Sequence, residues 1–218
     1  FAHILLGLLL LIWTGAIWNN GTRRLKATKQ WWLFRITQLL NMDIEVRGKA
    51  PAQGNAGLLF VSNHISWTDI PVIGGLIPLN FLSKEEVKKW PLIGHLAETS
   101  GTLFIRRGSG DTNSVARQMA DYLEKGRSVL FFPEGTTSDG SSVSRFHRKL
   151  FRTCEYGEIR ICPIAIHYAV DGCEGNPVAF IGDDEFTQHL WKLLSFDRIK
   201  VIVSILEPRV LEAARLDE

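Results

Sequence analysis

Short, almost wholly apolar runs that stop at turn-forming residues alternate with segments of helical spacing, and this alternation most constrains the fold. Leu58–Ser62 and Ser128–Phe132 are such runs, as is typical of strands covered on both faces. Asp111–Lys125 carries apolar residues at helical spacing and is followed by Gly126, whereas Asp69–Ile77 is a shorter helical segment. The sequence therefore predicts an α/β fold, a sheet with helices on its faces.

Further strands are predicted on both sides of this central part. Asp43–Gly48 alternates polar and apolar residues, which indicates a half-exposed strand. A short helix is predicted near Phe186–Leu194, and a basic helix after Pro133. The remaining strand candidates are Asn80–Ser83, Thr102–Ile105, Ile159–His167, Val178–Ile181 and Ile199–Leu206.

The N-terminal segment differs from the rest in its hydropathy. Residues 1–18 carry no formal charge, but the apolar stretch is borderline for a membrane span, which needs about 20 residues. Gln30–Asn41 is rich in aromatic and aliphatic residues, which fits a helix on the bilayer surface or an ordinary core helix. We predict membrane-anchoring helices over residues 1–42 and a globular domain over 43–218. Basic residues between the two helices are Arg23, Arg24, Lys26 and Lys29.

These basic residues also bear on location. Positive charge next to an apolar segment favours the cytoplasmic side of a membrane and attracts anionic lipid head groups. We therefore expect a membrane-associated protein at the inner, cytoplasmic membrane, with the globular domain on the cytoplasmic side. The net charge of only +2 is not that of a protein that coats nucleic acid, and no nucleic-acid partner is expected.

The segment Ser62-Asn-His-Ile-Ser-Trp-Thr-Asp69 places a histidine and an aspartate after a predicted strand. Loops at the carboxyl ends of strands build the active sites of α/β sheets. On one regular helix the two side chains would point about 140° apart, so they meet only if His64 lies in the loop and Asp69 in the first helical turn. Such a pair predicts a general base, with Asp69 orienting the imidazole. A core histidine beside an N-capping aspartate is the alternative.

Two other segments carry residues suited to anions. Phe132-Pro-Glu-Gly-Thr136 follows a buried strand, and its turn offers N–H groups and hydroxyls to an anionic oxygen. Glu134 is there either an acceptor for a polyol substrate or a structural carboxylate that closes the turn. Arg106 and Arg107 end another strand, and paired guanidinium groups recognise phosphate, although arginines on a surface loop are equally common.

Four sequence blocks stand in one order along the chain. They are Asn63-His64 with Asp69, Gly101–Arg107, Phe132–Thr136 and Cys162-Pro163-Ile164. Together they resemble the patterns N-H-x4-D, G-x-x-F-I-x-R, F-P-E-G-T and V-P-[VI] of the glycerolipid acyltransferase family, which includes 1-acylglycerol-3-phosphate acyltransferase. The resemblance covers roughly residues 43–206, and it implies a mixed, mostly parallel sheet flanked by helices.

The resemblance also implies a mechanism and a set of substrates. His64 would be the general base on the free hydroxyl of a lysophospholipid, and Asp69 would orient it. The donor would be acyl-CoA or acyl-acyl carrier protein, attacked without a covalent acyl-enzyme, and no separate cofactor or metal is implied. The acceptor implied first is lysophosphatidic acid, which would become phosphatidic acid. The acceptor's phosphate and glycerol would be positioned by Arg106, Arg107, Glu134, Gly135 and Thr136.

Three departures from the family pattern bear on the acceptor. Thr137-Ser138 stands where the family often has Arg-Ser, Arg106 replaces an acidic residue, and the later Phe-Lys-x-Gly becomes Phe146–Lys149. The positive charge missing at Thr137 is supplied by Arg106 or by the later basic stretch. Alternatively, the acceptor head group is not a simple phosphate, and a lyso-ornithine lipid is one such acceptor.

Other function classes are weakly supported by the sequence. Gly182-Asp-Asp184 is typical of a turn or helix cap rather than of a metal site. Neither G-x-S-x-G nor a P-loop occurs, which argues against a serine hydrolase and a P-loop nucleotide hydrolase. The second hypothesis that we keep is a non-catalytic, lipid-binding membrane protein of the same fold.

Overall fold

The computed structural model of the protein describes residues 3, 6–7, 9–10, 23–51, 56–90, 93–106 and 112–210. The helices are α1 (Arg23–Leu39), α2 (Asp69–Leu76), α3 (Ile93–Thr99), α4 (Thr112–Glu124) and α5 (Phe186–Leu194), with 3-10 helices at Glu85–Lys89 and Arg148–Tyr156. The strands are β1 (Met42–Arg47), β2 (Leu59–Ser62), β3 (Asn80–Lys84), β4 (Leu103–Ile105), β5 (Val129–Phe131), β6 (Arg160–Ala169), β7 (Ile199–Ile205) and β8 (Arg209–Val210).

The strands of the described residues form one eight-stranded sheet in the order β1-β7-β6-β2-β5-β3-β4, with β8 beside β6. Strands β6, β2, β5, β3 and β4 run parallel to one another, whereas β7 is antiparallel to β6 and pairs in parallel with β1. The predicted α/β class with a mixed, mostly parallel sheet is confirmed. The carboxyl ends of β2 and β5 meet at one edge, which brings their loops together.

Alternate residues of the central strands separate two apolar layers. Leu58 and Phe60 belong to one core cluster, which α1, α2 and α5 cover. Leu59 and Val61 belong to a second cluster on the other face, which α4 and the 3-10 helix at Arg148–Tyr156 cover. Strands buried on both faces read as continuous apolar runs, which is why the sequence identified β2 and β5.

Helix α1 packs closely on α2 through two glycines. A Cβ atom at Gly75 would lie 3.0 Å from the Cα atom of Phe34, and one at Gly74 would lie 2.6 Å from Cδ1 of Leu33. Leu33 is buried in the same cluster as the sheet residues, whereas Trp31 and Leu39 are 49% exposed. One face of α1 is thus a core face, and the other carries exposed apolar side chains.

The prediction of a strand at Val178–Ile181 is wrong. The segment is a turn and an extended stretch outside the sheet. Its backbone bonds locally and to a neighbouring loop, since Ala179 N–H donates to Asn176 O and Phe180 N–H donates to Ile65 O. This short apolar run therefore forms no ninth strand, and instead it hydrogen-bonds to the loop after β2.

Residues 11–22 lie outside the described residues, so the predicted N-terminal anchor is largely untested. Within the part of the chain that the structure describes, no helix is long and apolar enough to cross a membrane. The boundary at residue 42 between an anchoring segment and a globular domain stays a prediction.

Candidate active site

The loop between β2 and α2 is fixed to the neighbouring strand at its first residue. Asn63 Nδ2 donates to the carbonyl oxygen of Ile166 at 3.0 Å, and Asn63 Oδ1 accepts from Ile166 N–H at 2.8 Å. The side-chain amide thus pairs with both the N–H and the carbonyl oxygen of Ile166 in β6, as the backbone of a neighbouring strand residue would. This clamp holds the backbone that enters His64.

His64 and Asp69 form a direct hydrogen bond. The distance from His64 Nδ1 to Asp69 Oδ2 is 2.7 Å, with His64 in the loop and Asp69 at the first residue of α2. A carboxylate can only accept, so Nδ1 carries the hydrogen and Nε2 has its lone pair free. The carboxylate is fully buried, whereas the imidazole side chain is 18% exposed. The geometry is therefore that of an oriented base with access from outside.

Asp69 receives three more hydrogen bonds, which compensate for its burial. The N–H groups of Ile65 and Ser66 donate to Oδ2 at 2.8 and 3.1 Å. The hydroxyl of Tyr168 donates to Oδ1 at 2.7 Å and accepts from Thr68 Oγ1 at 3.1 Å. Burial, followed by the charge of Asp69, raises the pKa of Tyr168 well above its usual value, so Tyr168 stays a donor. The carboxylate is held rigidly against the imidazole.

The loop after β5 is joined to the His64 loop by a second buried carboxylate. Glu134 Oε1 accepts from His64 N–H at 2.8 Å, and Glu134 Oε2 accepts from Ser144 N–H at 2.9 Å. The residue is only 3% exposed. Of the two roles open to Glu134 from the sequence, these contacts favour the structural one, a carboxylate that links two loops. Its role in positioning an acceptor stays a prediction.

The same loop supports the imidazole ring from one side. Phe132 stacks on His64 with a centroid distance of 3.8 Å and an interplanar angle of 10°. Gly135 follows at φ +69°, a left-handed conformation that glycine adopts without strain. Ser138 N–H donates to His64 O at 2.9 Å. Thr136, which lies between Gly135 and Ser138, is exposed. Gly135 and Thr136 therefore lie in the turn beside His64.

Of the two arginines predicted to position the acceptor's phosphate, the structure describes Arg106, and that role stays a prediction. Arg106 is exposed at the end of β4, and its Nε donates to Glu85 Oε2 at 3.1 Å. Strand β4 lies three strands from β2, which corresponds to roughly 14 Å at ordinary strand spacing. The structure therefore does not bring Arg106 next to His64. Arg107 lies outside the described residues.

Two residues that hold the site together were not foreseen from the sequence. Asn63 was assigned no partner, and the buried hydroxyl of Tyr168 was not considered. His189 has a structural role nearby, since its Nδ1 accepts from Trp67 Nε1–H at 3.0 Å while its Nε2–H donates to Ala179 O. Desolvation by burial lowers the pKa of His189, which suits this neutral form. The sequence carries no local signal for these contacts, because the partners lie far apart along the chain.

Among the described residues, no group of three or more His, Cys, Asp or Glu side chains could hold a metal ion. Cys154 and Cys162 are buried, and burial raises the pKa of each thiol to about 11. A thiol with such a pKa is a poor nucleophile at neutral pH.

Comparison with known proteins gives the class of the protein. The acyltransferase family, described as "Acyltransferase", matches residues 43–167, more than half of the chain. That range includes all four motif blocks and the His64–Asp69 pair. The chain belongs to the acyltransferase family, and the resemblance stated from its motifs is confirmed.

Individual relatives narrow the comparison. The chain is 47% identical over 179 residues to the lyso-ornithine lipid O-acyltransferase of Pseudomonas aeruginosa, which covers 82% of this chain and 68% of that protein. It is 30% identical over 168 residues to the 1-acyl-sn-glycerol-3-phosphate acyltransferase of Neisseria gonorrhoeae, covering 77% of this chain and 66% of that protein. The chain thus spans about two thirds of the length of these relatives.

A solved structure supports the fold. The crystal structure of the 1-acyl-sn-glycerophosphate (LPA) acyltransferase PlsC from Thermotoga maritima aligns with a TM-score of 0.63 and 19% identity. The alignment covers 96% of this chain and 87% of that chain. The two proteins share the same sheet-and-helix architecture.

Proposed function

We propose that this chain transfers an acyl group from an acyl thioester to the hydroxyl of a lysolipid, with His64 as general base. The observation that carries the proposal is the hydrogen bond from His64 Nδ1 to the buried Asp69. It leaves Nε2 as the nitrogen able to take a proton. A non-catalytic lipid-binding protein would have no need of a carboxylate held by four donors behind an accessible imidazole.

The reaction then follows from the position of the free nitrogen. Nε2 of His64 takes the proton of the acceptor hydroxyl while the hydroxyl oxygen attacks the thioester carbonyl carbon. Asp69 stabilises the imidazolium that forms. When the tetrahedral intermediate collapses, the C–S bond breaks, and the departing sulfur receives the proton from His64. An ester and a free thiol are the products, and no acyl-enzyme is formed.

N–H groups near the start of a helix can stabilise an oxyanion, and those that follow His64 are the first to consider. Those of Ile65 and Ser66 donate to Asp69, so both are engaged in holding the carboxylate. In the Gly135–Ser138 turn beside His64, Gly135 N–H donates to Phe132 O and Ser138 N–H donates to His64 O, so the N–H groups of Thr136 and Thr137 are the alternative donors. We propose this turn as the place where the thioester oxygen is stabilised.

We propose a lyso-ornithine lipid as the acceptor, ahead of lysophosphatidic acid. A phosphomonoester head group favours a cationic clamp beside the base, and the family often supplies an arginine after Glu-Gly-Thr, where this chain has Thr137. Arg106 is ion-paired with Glu85 and lies several strands away. The 47% identity to a lyso-ornithine lipid O-acyltransferase supports the same choice. Ornithine offers an amine and a carboxylate instead of a phosphate.

We further propose that the protein works at a membrane, with the exposed apolar face of α1 against lipid. Trp31, Phe34 and Leu39 on that face are 49, 37 and 49% exposed. Aromatic and aliphatic side chains on one face of a helix partition into the interface of a bilayer. Flotation with liposomes tests this directly, and a chain that stays at the bottom of the gradient contradicts it.

The acceptor is tested with a panel of lysolipids and one labelled acyl-CoA. We expect transfer to lyso-ornithine lipid with a kcat/KM at least tenfold above that for lysophosphatidic acid. The opposite order assigns the acceptor to lysophosphatidic acid and contradicts the choice of head group. No transfer to any lysolipid contradicts the proposed function itself.

A further inference from the structure

We infer that the exposed cations of the basic segment, defined as residues 145–149, bind the phosphate groups of the acyl donor's carrier. The segment reads Arg-Phe-His-Arg-Lys. This inference rests on the proposed function, because it names the donor site of the same reaction. The chemical class of the ligand is a phosphorylated pantetheine thioester.

The cations of the basic segment are available to a ligand. Arg145, Arg148 and Lys149 are all exposed. Within the described residues none of the three takes part in an ion pair, whereas the nearby Arg152 is bound to Glu155 and Asn113. Three unneutralised cations within five residues make a local positive field, which attracts a polyanion.

The backbone of the basic segment is fixed to the catalytic loops. Ser144 N–H and His64 N–H donate to the two oxygens of the same carboxylate, Glu134. His147 N–H donates to Pro133 O at 2.8 Å. The ring of Phe146 stacks on Phe151 at 6.5 Å. These contacts hold the cations at the edge of the active site.

The length of the segment fits a donor with a long arm. Five residues span at most roughly 18 Å, and the segment follows Ser144, which shares the Glu134 carboxylate with the His64 loop, so its cations lie within about that reach of the loop. In coenzyme A and in acyl carrier protein, the pantetheine arm separates the thioester sulfur from its phosphate. A phosphate site at a distance from His64 is what such a donor requires.

The face of the sheet distinguishes donor from acceptor. The 3-10 helix that begins at Arg148 contributes Cys154 to the apolar cluster containing Leu59, on the face opposite α1. The lipid acceptor arrives from the membrane, which we place against α1. The basic segment therefore lies towards the aqueous side, from which a water-soluble donor approaches.

The test is the triple variant Arg145→Ala/Arg148→Ala/Lys149→Ala, assayed with acyl-CoA and with acyl-pantetheine, which lacks phosphate. We expect the ratio of kcat/KM for acyl-CoA to that for acyl-pantetheine to fall about tenfold, as for the loss of several exposed charge contacts. The matched control, Arg117→Ala/Lys125→Ala/Lys192→Ala, removes three exposed cations elsewhere and should leave the ratio unchanged. An unchanged ratio in the basic-segment variant overturns the inference.

Two further measurements separate the alternatives. Equal losses with acyl-CoA and acyl-acyl carrier protein assign the site to the phosphate that both share, and a loss with acyl-CoA alone assigns it to the nucleotide phosphates. A higher KM for the lysolipid with an unchanged donor ratio means that the segment serves the acceptor, which overturns the inference.

Calorimetric titration with free coenzyme A tests the donor site independently of acyl transfer. We expect binding to the wild-type chain and about tenfold weaker binding to the basic-segment variant. That result supports the donor site even if no acyl transfer is found. Equal affinity for both proteins, or no binding to the wild-type chain, overturns the inference while leaving acyl transfer to be judged by its own assay.

Discussion

A single buried carboxylate organises the site at the scale of residues. Asp69 holds the imidazole of His64, two loop N–H groups and the hydroxyl of Tyr168 at once. Each hydrogen bond to a buried ionised group contributes about 1.5–3 kcal/mol. The same contacts that orient the base therefore shape the loop, so catalysis and local folding depend on one side chain.

Asp69→Asn should remove most of the activity while keeping the chain folded. An amide can accept from Tyr168 or from the loop, but it does not hold the Nδ1–H tautomer or stabilise an imidazolium as a carboxylate does. We expect kcat to fall by about 10²- to 10⁴-fold, as when a general base loses the carboxylate that orients it. Steady-state kinetics with both substrates saturating measures this. Asp121→Asn, at an exposed position of α4, is the matched control, and a kcat of Asp69→Asn equal to that of the wild type would contradict the assigned role.

Which residues of the site could be foreseen depended on the distance along the chain between partners. The contact of His64 with Asp69 was predictable, because a loop followed by a first helical turn lets residues five apart meet. The contacts of Asn63 and Tyr168 join the loop after β2 and the start of α2 to β6, about 100 residues later. No local spacing reports such contacts, and Glu134 was left between two roles for the same reason.

At the scale of elements, the close packing of α1 on α2 sets where the N-terminal helix lies. The two helices meet at Gly74 and Gly75, where a side chain would collide with Leu33 or with the backbone of Phe34. The sequence indicated both helices by their apolar content, but it did not show that one face of α1 is a core face. That face depends on glycines in another helix.

Gly75→Val should separate these helices. Its added side chain would begin 3.0 Å from Phe34 Cα, a backbone atom that cannot rotate away. We expect the free energy of unfolding to fall by about 1–3 kcal/mol, although valine favours a helix more than glycine does. Urea denaturation measures the loss. Gly157→Val is the control, since that extended position has nothing within 4 Å of a Cβ atom; equal stability of the two variants would contradict the packing argument.

The elements that the sequence identified best were those with the most distinctive burial. Strands β2 and β5 are apolar on both faces, so their runs were unmistakable. Val178–Ile181 has the same composition but no neighbouring strand to pair with, and its backbone supports the His64 loop instead. Whether such a segment forms a strand depends on a neighbouring strand to pair with, and local composition does not show whether one is present.

At the scale of the whole molecule, Lys29 joins α1 to two distant parts of the chain. Its Nζ donates to Asn80 Oδ1 at 3.3 Å and to Ser100 O at 3.2 Å. Desolvation by burial, with a smaller effect of Lys26, lowers the pKa of Lys29 from 10.5 to about 8. The folded chain therefore binds fewer protons than the unfolded chain between pH 8 and 10.5, and stability contributed by Lys29 rises with pH there.

Comparison of the wild-type chain with Lys29→Met from pH 8 to 10 tests this linkage. The free energy of unfolding of the wild type should rise relative to the variant by roughly 1–2 kcal/mol across that window, because the wild type alone carries the shifted lysine. Urea titrations at each pH give the difference. For Lys125→Met, at an exposed position, the difference from the wild type in the free energy of unfolding should stay constant with pH. A difference that also stays constant for Lys29→Met would contradict the lowered pKa of Lys29.

The general-base mechanism is tested most directly by the rate of acyl transfer by His64→Ala with the preferred lysolipid and acyl-CoA. We expect kcat to fall by at least about 10²-fold, with the lysolipid still bound, because the base and not the binding surface is removed. His95→Ala, an exposed histidine on α3, should retain wild-type kcat. Wild-type kcat in His64→Ala would contradict the general-base mechanism on which the proposed function depends.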